Sequence, residues 1–461
     1  MTSAYTQQPS NPLLAQSLTS LVAQLESGAT TSVQVAQALL ARAKEVQPHL
    51  NCFVQINDEA ALKAAHAADA QRAAYKAAGK NAPPLLGVPF AHKDMFARAG
   101  TASGCGSAIT GSVVAKETAV VLEKLDAAGA IEFGRVHMAE FAYGNTGHNA
   151  HLGACRNPVN PAYITGGSSS GSGSSVGAFA NFGALGSDTG GSVRHPAGFC
   201  GTVGIKTSLG AINTRGAMPL SDSLDTIGFL TRTVADCALL FGAAQTHTPT
   251  WVWQPQQSLK GVRIGVADNY GHGACTGQAA KLMQDSLRRF TDAGATLVIV
   301  TVPYSDEIFA ASMKVLQAEA TAHHAPWMAS RPQDYSPQVL KRLEAGLAVP
   351  GYEYVRAKQF QPAALAAWMR EVFAKCDVLH APVVTIATPT VAEADVGGSD
   401  AMLAMVAGMG RWTRPVNYLG LPALSLPAGQ MNGLPFGCQL IAPMMREALL
   451  FGVGAAAEQA A

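Results

Sequence analysis

Charge is scarce in this chain. Lysine and arginine number 32 and aspartate and glutamate 31 among 461 residues, leaving a formal net charge of +1 at pH 7. That balance excludes electrostatic capture of nucleic acid or of an anionic membrane as the basis of function. No apolar run approaches the roughly 18 residues a membrane span requires. The eight cysteines, at positions 52, 105, 155, 200, 237, 275, 376 and 438, contain no Cys-x-x-Cys pair. Their scatter argues against a disulfide framework or a zinc site and predicts reduced thiols in a cytoplasmic protein. The histidines do not pair at ligand spacings either: His323 and His324 are adjacent, and His148 and His151 fall in loop. No metal and no cofactor are therefore expected. Residues 1–12 lack a basic n-region and a cleavage site, so they read as a flexible arm rather than a signal peptide. There is no internal repeat.

What the chain does have is glycine and serine, concentrated between Ile164 and Gly210. A flexible linker would be Gly/Ser throughout, but here two small-residue clusters bracket the apolar stretch Val176 to Leu185 and precede Phe199 to Ile205. Small residues in such a setting mark places where backbone comes close to something. Successive backbone N–H groups in a Gly-rich turn suit a phosphate or a developing oxyanion. The phosphate-loop pattern is absent, and Lys206 lies too far downstream to complete one. The residues alone leave two readings: an oxyanion turn closed by a nucleophilic Ser192 after Asp188-Thr189-Gly190-Gly191, or a plain turn between elements. A second landmark is Leu85 to Phe96, a buried strand that delivers Lys93 at its end. By position alone that lysine is as well explained by a surface ion pair with Asp94.

The order of these motifs resembles the amidase signature family. Its hallmark serine cluster stands here as Gly166-Gly167-Ser168-Ser169-Ser170-Gly171-Ser172, followed by Gly186 to Arg194, Pro196-Ala197, Cys200-Gly201 and Gly204-Ile205-Lys206-Thr207-Ser208. Ser168 and Ser192 are 24 positions apart, as in the family, and Lys93 matches its Gly-x-Pro-x-x-x-Lys-Asp motif. Three departures are Ser170 for Gly, Thr207-Ser208 for Pro-Thr, and Ala211 where Arg is common. The resemblance implies a catalytic set of Ser192 as nucleophile, Ser168 as proton bridge after a cis peptide bond from Gly167, and Lys93 as base. A serine hydroxyl needs a proton acceptor, and burial makes a lysine one by disfavouring its ammonium form. The N–H groups of Thr189, Gly190, Gly191 and Ser192 are expected to hold the oxyanion. Asp188 and Arg194 are expected to brace that turn, with Lys206 as a further support. Tyr143, Gly144, Asn145, Gly167 and His195 are expected to line the substrate pocket, His195 as wall rather than rival base.

Helix and strand patterns alternate along the chain, predicting an α/β fold. Helices are expected over Leu13 to Leu25, closed by Gly28, and over Val33 to Val46, Asp58 to Ala78, Glu117 to Ala130 and Ala279 to Ala293. Strands are expected over Asn51 to Ile56, Ile131 to Gly134, Val262 to Val266, Ala295 to Val302 and Val378 to Val384. Trp251 to Ser258 reads as an exposed connection, and 305–372 as helical and the part least like the family. The resemblance spans nearly the whole chain. It implies one domain over 1–461, a single large mixed β-sheet covered by helices on both faces.

The expected activity is cleavage of an amide or carbamate (urethane) C–N bond on a small molecule, through an acyl- or carbamoyl-enzyme, by a monomer or homodimer without nucleic acid or membrane. One branch of the family, the glutaminase subunit of a tRNA-dependent amidotransferase, binds its amino acid with an Arg and an Asp that fall at Gln361 and Gly410. Without those charges a zwitterion is poorly held. That glutaminase component, or a non-catalytic scaffold, are the alternatives. Met402, Met405, Met409 and Trp412 suggest an apolar pocket wall.

Overall fold

The computed structural model describes residues 9, 11–246, 253, 255–256, 258–394 and 397–460. Among them eleven strands form one sheet: β1 (Phe53–Ile56), β2 (Pro89–Lys93), β3 (Ile131–Val136), β4 (Gly183–Asp188), β5 (Val203–Lys206), β6 (Thr226–Thr231), β7 (Arg263–Val266), β8 (Thr296–Ile299), β9 (Val378–Pro382), β10 (Ala423–Met431) and β11 (Leu434–Ile441). Their order across the sheet is β1-β3-β2-β4-β6-β5-β10-β11-β9-β7-β8. The sheet is mixed, as expected. β2 runs parallel to β3 and β4, and β7 to β8 and β9. β4, β5, β6, β10 and β11 are joined antiparallel.

Every residue of β2, β4, β5, β6, β9 and β11 is buried, so helices cover both faces of the central strands. The outermost strand β8 is largely exposed. No helix among the described residues is long and apolar enough to cross a membrane.

Local chemistry explains the helix ends. Thr31 and Gln34 form a reciprocal capping box at the start of Ser32–Leu50, each satisfying an N–H that has no partner within the helix. The expected helix from Leu13 divides into Pro12–Ala15 and Leu18–Ser27. Ser17 adopts an extended conformation between them, and its side chain accepts from the Ser20 N–H. The helix expected from Glu117 starts only at Val120, because the Ala119 and Val120 N–H groups donate to the Ala97 and Arg215 carbonyls instead.

The span 305–372 is helical as read, over Ser305–Ser330, Pro337–Leu347 and Gly351–Trp368. Residues 1–8 and 10 of the expected arm lie outside the described residues. Asn11 caps the helix that begins at Pro12. Most of 251–258 also lies outside, but Trp253 corrects the exposed reading there, since it is half-buried with its ring 6.3 Å from that of Phe451.

The topology prepares a site. β2 and β4 are parallel with Ala91 opposite Ala184 and His92 opposite Leu185, so their C-terminal ends share one edge. Lys93 ends one strand and Asp188 the other, which brings residues nearly a hundred positions apart to the same place.

Candidate active site

Lys93 is wholly buried, and its Nζ lies 2.7 Å from Ser168 Oγ and 2.8 Å from Ser187 Oγ. Burial pushes its pKa down to about 7 against the opposing pull of Asp225 and Asp188. Above that pH the nitrogen carries a lone pair. The ion pair with Asp94 is not made: Asp94 faces Arg135, 3.4 Å away, and accepts from the Gly104 N–H. Ser187 escaped the sequence reading although it stands inside the Gly-Ser-Asp-Thr-Gly-Gly-Ser motif. Only the register of β2 against β4 reveals that its hydroxyl meets the lysine.

The Gly167–Ser168 peptide bond is cis. The Ser168 carbonyl accepts from Ala139 N–H at 3.1 Å, and Ser169 N–H donates to the Ser192 carbonyl at 3.1 Å. Main chain thus ties the two serine segments together. The hydroxyls of Ser168 and Ser192 make no hydrogen bond to each other, and Ser192 Oγ has no partner among the described residues. Ser168 is sealed, whereas Ser192 is 8% exposed and opens on a cleft. The order from inside to outside is therefore amine, buried hydroxyl, accessible hydroxyl.

The turn carrying Ser192 is built on Asp188. Its carboxylate accepts from the N–H groups of Gly191 (2.8 Å) and Val193 (3.1 Å) and from Arg194 Nε (3.0 Å) and Nη2 (2.9 Å), and Asn417 Nδ2 adds a further bond at 3.0 Å. Arg194 and the charge-assisted bonds hold the carboxyl well below its usual pKa despite complete burial. This corrects the oxyanion expectation at one residue. The Gly191 N–H is taken by Asp188 and cannot serve an oxyanion, whereas those of Thr189, Gly190 and Ser192 have no partner among the described residues.

Gly191 is required for another reason. Its φ is +123°, and a Cβ there would come within 2.4 Å of the His195 ring. That ring faces the Met409 carbonyl through Nε2 at 2.9 Å, and Thr413 Oγ1 lies 3.1 Å from the same nitrogen while donating to the Gly190 carbonyl. Burial lowers the His195 pKa to about 4, so the imidazole is neutral and braces the turn from the cleft wall. Lys206 donates to the Thr207 and Leu421 carbonyls at 2.7 Å, the supporting role expected of it.

Tyr143, Gly144, Asn145 and His195 line the cleft with Thr189, Gly190 and Ser192. Gly167 does not. It packs beneath, where a Cβ would meet the Gly144 carbonyl at 2.9 Å. The apolar wall is also corrected. Met409 belongs to a small core cluster with Ile164, Phe199 and Val383, and Met405 packs against that cluster. Trp412 stacks edge-on to Tyr270. The wall instead includes two buried arginines, Arg342 and Arg414. Gln361 donates to the Tyr418 carbonyl, away from the cleft lining, and Gly410 lies against the Arg414 guanidinium. The sequence carried no motif for either arginine.

The close backbone approach inferred from the serine-rich cluster is best seen at Gly171, in the first turn of the helix Ser170–Gly177. A Cβ there would lie 2.3 Å from the Cys52 carbonyl oxygen and 2.4 Å from the His137 nitrogen. Gly171→Ala is expected to lower stability by about 3 kcal/mol through backbone displacement, read as a shift of the denaturation midpoint, and to cut activity because Ser168 sits one turn away.

A sequence model described as Amidase matches residues 34–451. The glutaminase-type component of the glutamyl-tRNA(Gln) amidotransferase of Lachnospira eligens, its A chain by name, is 33% identical, over 97% of this chain and 98% of its own length. Among solved structures, one from a study of a vestigial protein complex and the origins of an s-triazine catabolic enzyme superimposes with a TM-score of 0.86 at 31% identity, covering 96% of this chain and 98% of that one. A crystallised amidase gives a TM-score of 0.86 at 29% identity, over 96% and 99%. The expectation of a chain acting alone and without nucleic acid draws no support here, because the amidotransferase relative is named as one component of a larger enzyme and for a tRNA.

Proposed function

The chain belongs to the amidase family, and from that premise we propose that it cleaves the C–N bond of small amides or carbamates with Ser192 as nucleophile, Ser168 as proton bridge and Lys93 as base. The observation that carries the reading is a buried amine with a pKa of about 7, hydrogen-bonded to one serine hydroxyl whose neighbour opens on the cleft.

In this mechanism Ser192 Oγ attacks the carbonyl carbon while its proton passes to Ser168 and that of Ser168 to Lys93. The apo hydroxyls close up when substrate is bound, as catalytic hydrogen bonds commonly do. The N–H groups of Thr189, Gly190 and Ser192 stabilise the negative oxygen. When the tetrahedral species collapses, the C–N bond breaks and the ammonium of Lys93 returns its proton through Ser168 to the departing nitrogen. Water, deprotonated along the same relay, then releases the acyl or carbamoyl group and restores Ser192.

A serine-directed fluorophosphonate is expected to form one adduct, located at Ser192 by peptide mass and absent in Ser192→Ala. An unlabelled Ser192 in folded protein would instead support a non-catalytic scaffold. Hydrolysis of p-nitroanilides against aryl carbamates then ranks the two bond types.

The names of the relatives favour a second reading, a glutaminase delivering ammonia to a partner. Against it, Gln361 and Gly410 offer no charge for an amino acid's α-carboxylate and ammonium. Glutamine-dependent ammonia release exceeding turnover of simple amides would favour the glutaminase.

A further inference from the structure

Arg342 and Arg414 stand beside the candidate nucleophile without acidic partners. Both line the cleft on which Ser192 opens, and they are only 6% and 3% exposed. No carboxylate pairs with either among the described residues, and no Asp or Glu lines the cleft.

Arg342 is held in place. Its Nη1 donates to the Tyr143 carbonyl at 2.6 Å, and its guanidinium lies 3.6 Å from the centre of the Tyr143 ring. Arg414 is less satisfied. Its Nε has no partner, and its Nη1 reaches only the Met313 sulfur. Burial lowers both pKa values, that of Arg414 to about 10, with Arg342 adding repulsion. Both side chains therefore stay charged at neutral pH. Gly410 makes the arrangement possible, since a Cβ there would fall 2.6 to 2.8 Å from the Arg414 guanidinium atoms.

We infer that Arg342 and Arg414 form a carboxylate-binding subsite, so that the preferred substrates of this site are short amides carrying a carboxylate and no ammonium. The inference rests on the hydrolase reading for its meaning but not for its test. Two buried cations without counter-ions are costly, and a bound carboxylate relieves both at once through charge-assisted hydrogen bonds. An ammonium group would meet like charge and no acid. The cleft, about 300 Å³ including its open mouth, is at the small end of ligand sites and suits a chain of a few carbons.

The test uses the full chain with Ser192→Ala, so that binding is measured without turnover. Calorimetry would compare oxamate, malonamate and succinamate with butanamide, their uncharged counterpart, and with glutamine. At least one carboxylated amide is expected to bind about 100-fold more tightly than butanamide. Arg414→Met should lose at least about tenfold of that advantage and Arg414→Lys should recover part of it. The recovery separates loss of the charge from loss of packing. Equal binding of charged and uncharged amides, or an undiminished preference in folded Arg414→Met, would overturn the subsite. Tightest binding of glutamine would overturn it as well. Fluorophosphonate labelling of Ser192 in the parent protein keeps the two readings apart. Labelling without anion preference sinks only the subsite, and anion preference without labelling sinks only the hydrolase.

Discussion

Lys93→Met is expected to fold and to turn over amide substrate at least about 10³-fold more slowly than the parent. The lysine donates to or accepts from two hydroxyls in a space closed to water. Nothing else in reach can take the proton of Ser168. His195 is engaged with the Met409 carbonyl and titrates near 4. Folding survives because a methionine of similar volume fills the strand end without the cost of burying an amine, while Ser168 and Ser187 each lose one bond. The melting temperature should stay within about 5 °C of the parent.

The pH profile carries the sharper signature. Neutral amine is the active form, so kcat/KM should rise with pH through about 7 and level off above it. The residual rate of Lys93→Met should lack that step. Lys206 is also pushed down to about 7 by burial, but it faces two carbonyls and no hydroxyl, so Lys206→Met should retain the step in whatever activity remains. A step that persists unchanged in Lys93→Met would point to another base.

Asp188→Ala is expected to destabilise the fold by about 4 kcal/mol, measured as a fall in the urea midpoint. The substitution strips acceptors from two backbone N–H groups and leaves the buried guanidinium of Arg194 without its counter-charge, since its remaining side-chain bonds go to the neutral Gln439 and Asn417. An unpaired buried charge costs more than the pair is worth. A double variant, Asp188→Leu with Arg194→Met, should therefore recover part of the loss.

The pH dependence has a definite sign. The folded carboxyl titrates far below the roughly 3.9 of an unfolded aspartate. Its stabilisation is therefore complete above that value and is lost as pH falls toward the folded value. The gap between the parent and Asp188→Asn should be full at pH 7 and shrink below about pH 4. A midpoint unchanged at pH 7 would show that Asp188 does not hold the turn.

The chain's local order carried much of the site. Gly166 to Ser172 and Gly186 to Arg194 are contiguous, and their conformations follow from neighbours a few residues away. The positive φ at Gly191, the cap on the Asp188 carboxylate and the cis bond before Ser168 are of that kind. Lys93 was readable for the same reason, as the end of a short apolar strand. The partners of those groups were less so. Ser187 meets Lys93 only through the parallel register of β2 and β4, and the Gly191 N–H is lost to the oxyanion only because Asp188 folds back on it.

Sequence by itself determined the family, the α/β class and the position of the reactive side chains, because each depends on short-range backbone geometry and on periodic burial. The character of the pocket was decided by tertiary packing. Phe141 is stacked on Trp327 and packed against His324 and Tyr335, which seats the helices of 305–372 over the Tyr143 loop and delivers Arg342 from almost two hundred residues away. Arg414 reaches the same cleft across Gly410. Such meetings depend on which side chains fill the space between distant helices, and that is a property of the assembled core rather than of any stretch of chain.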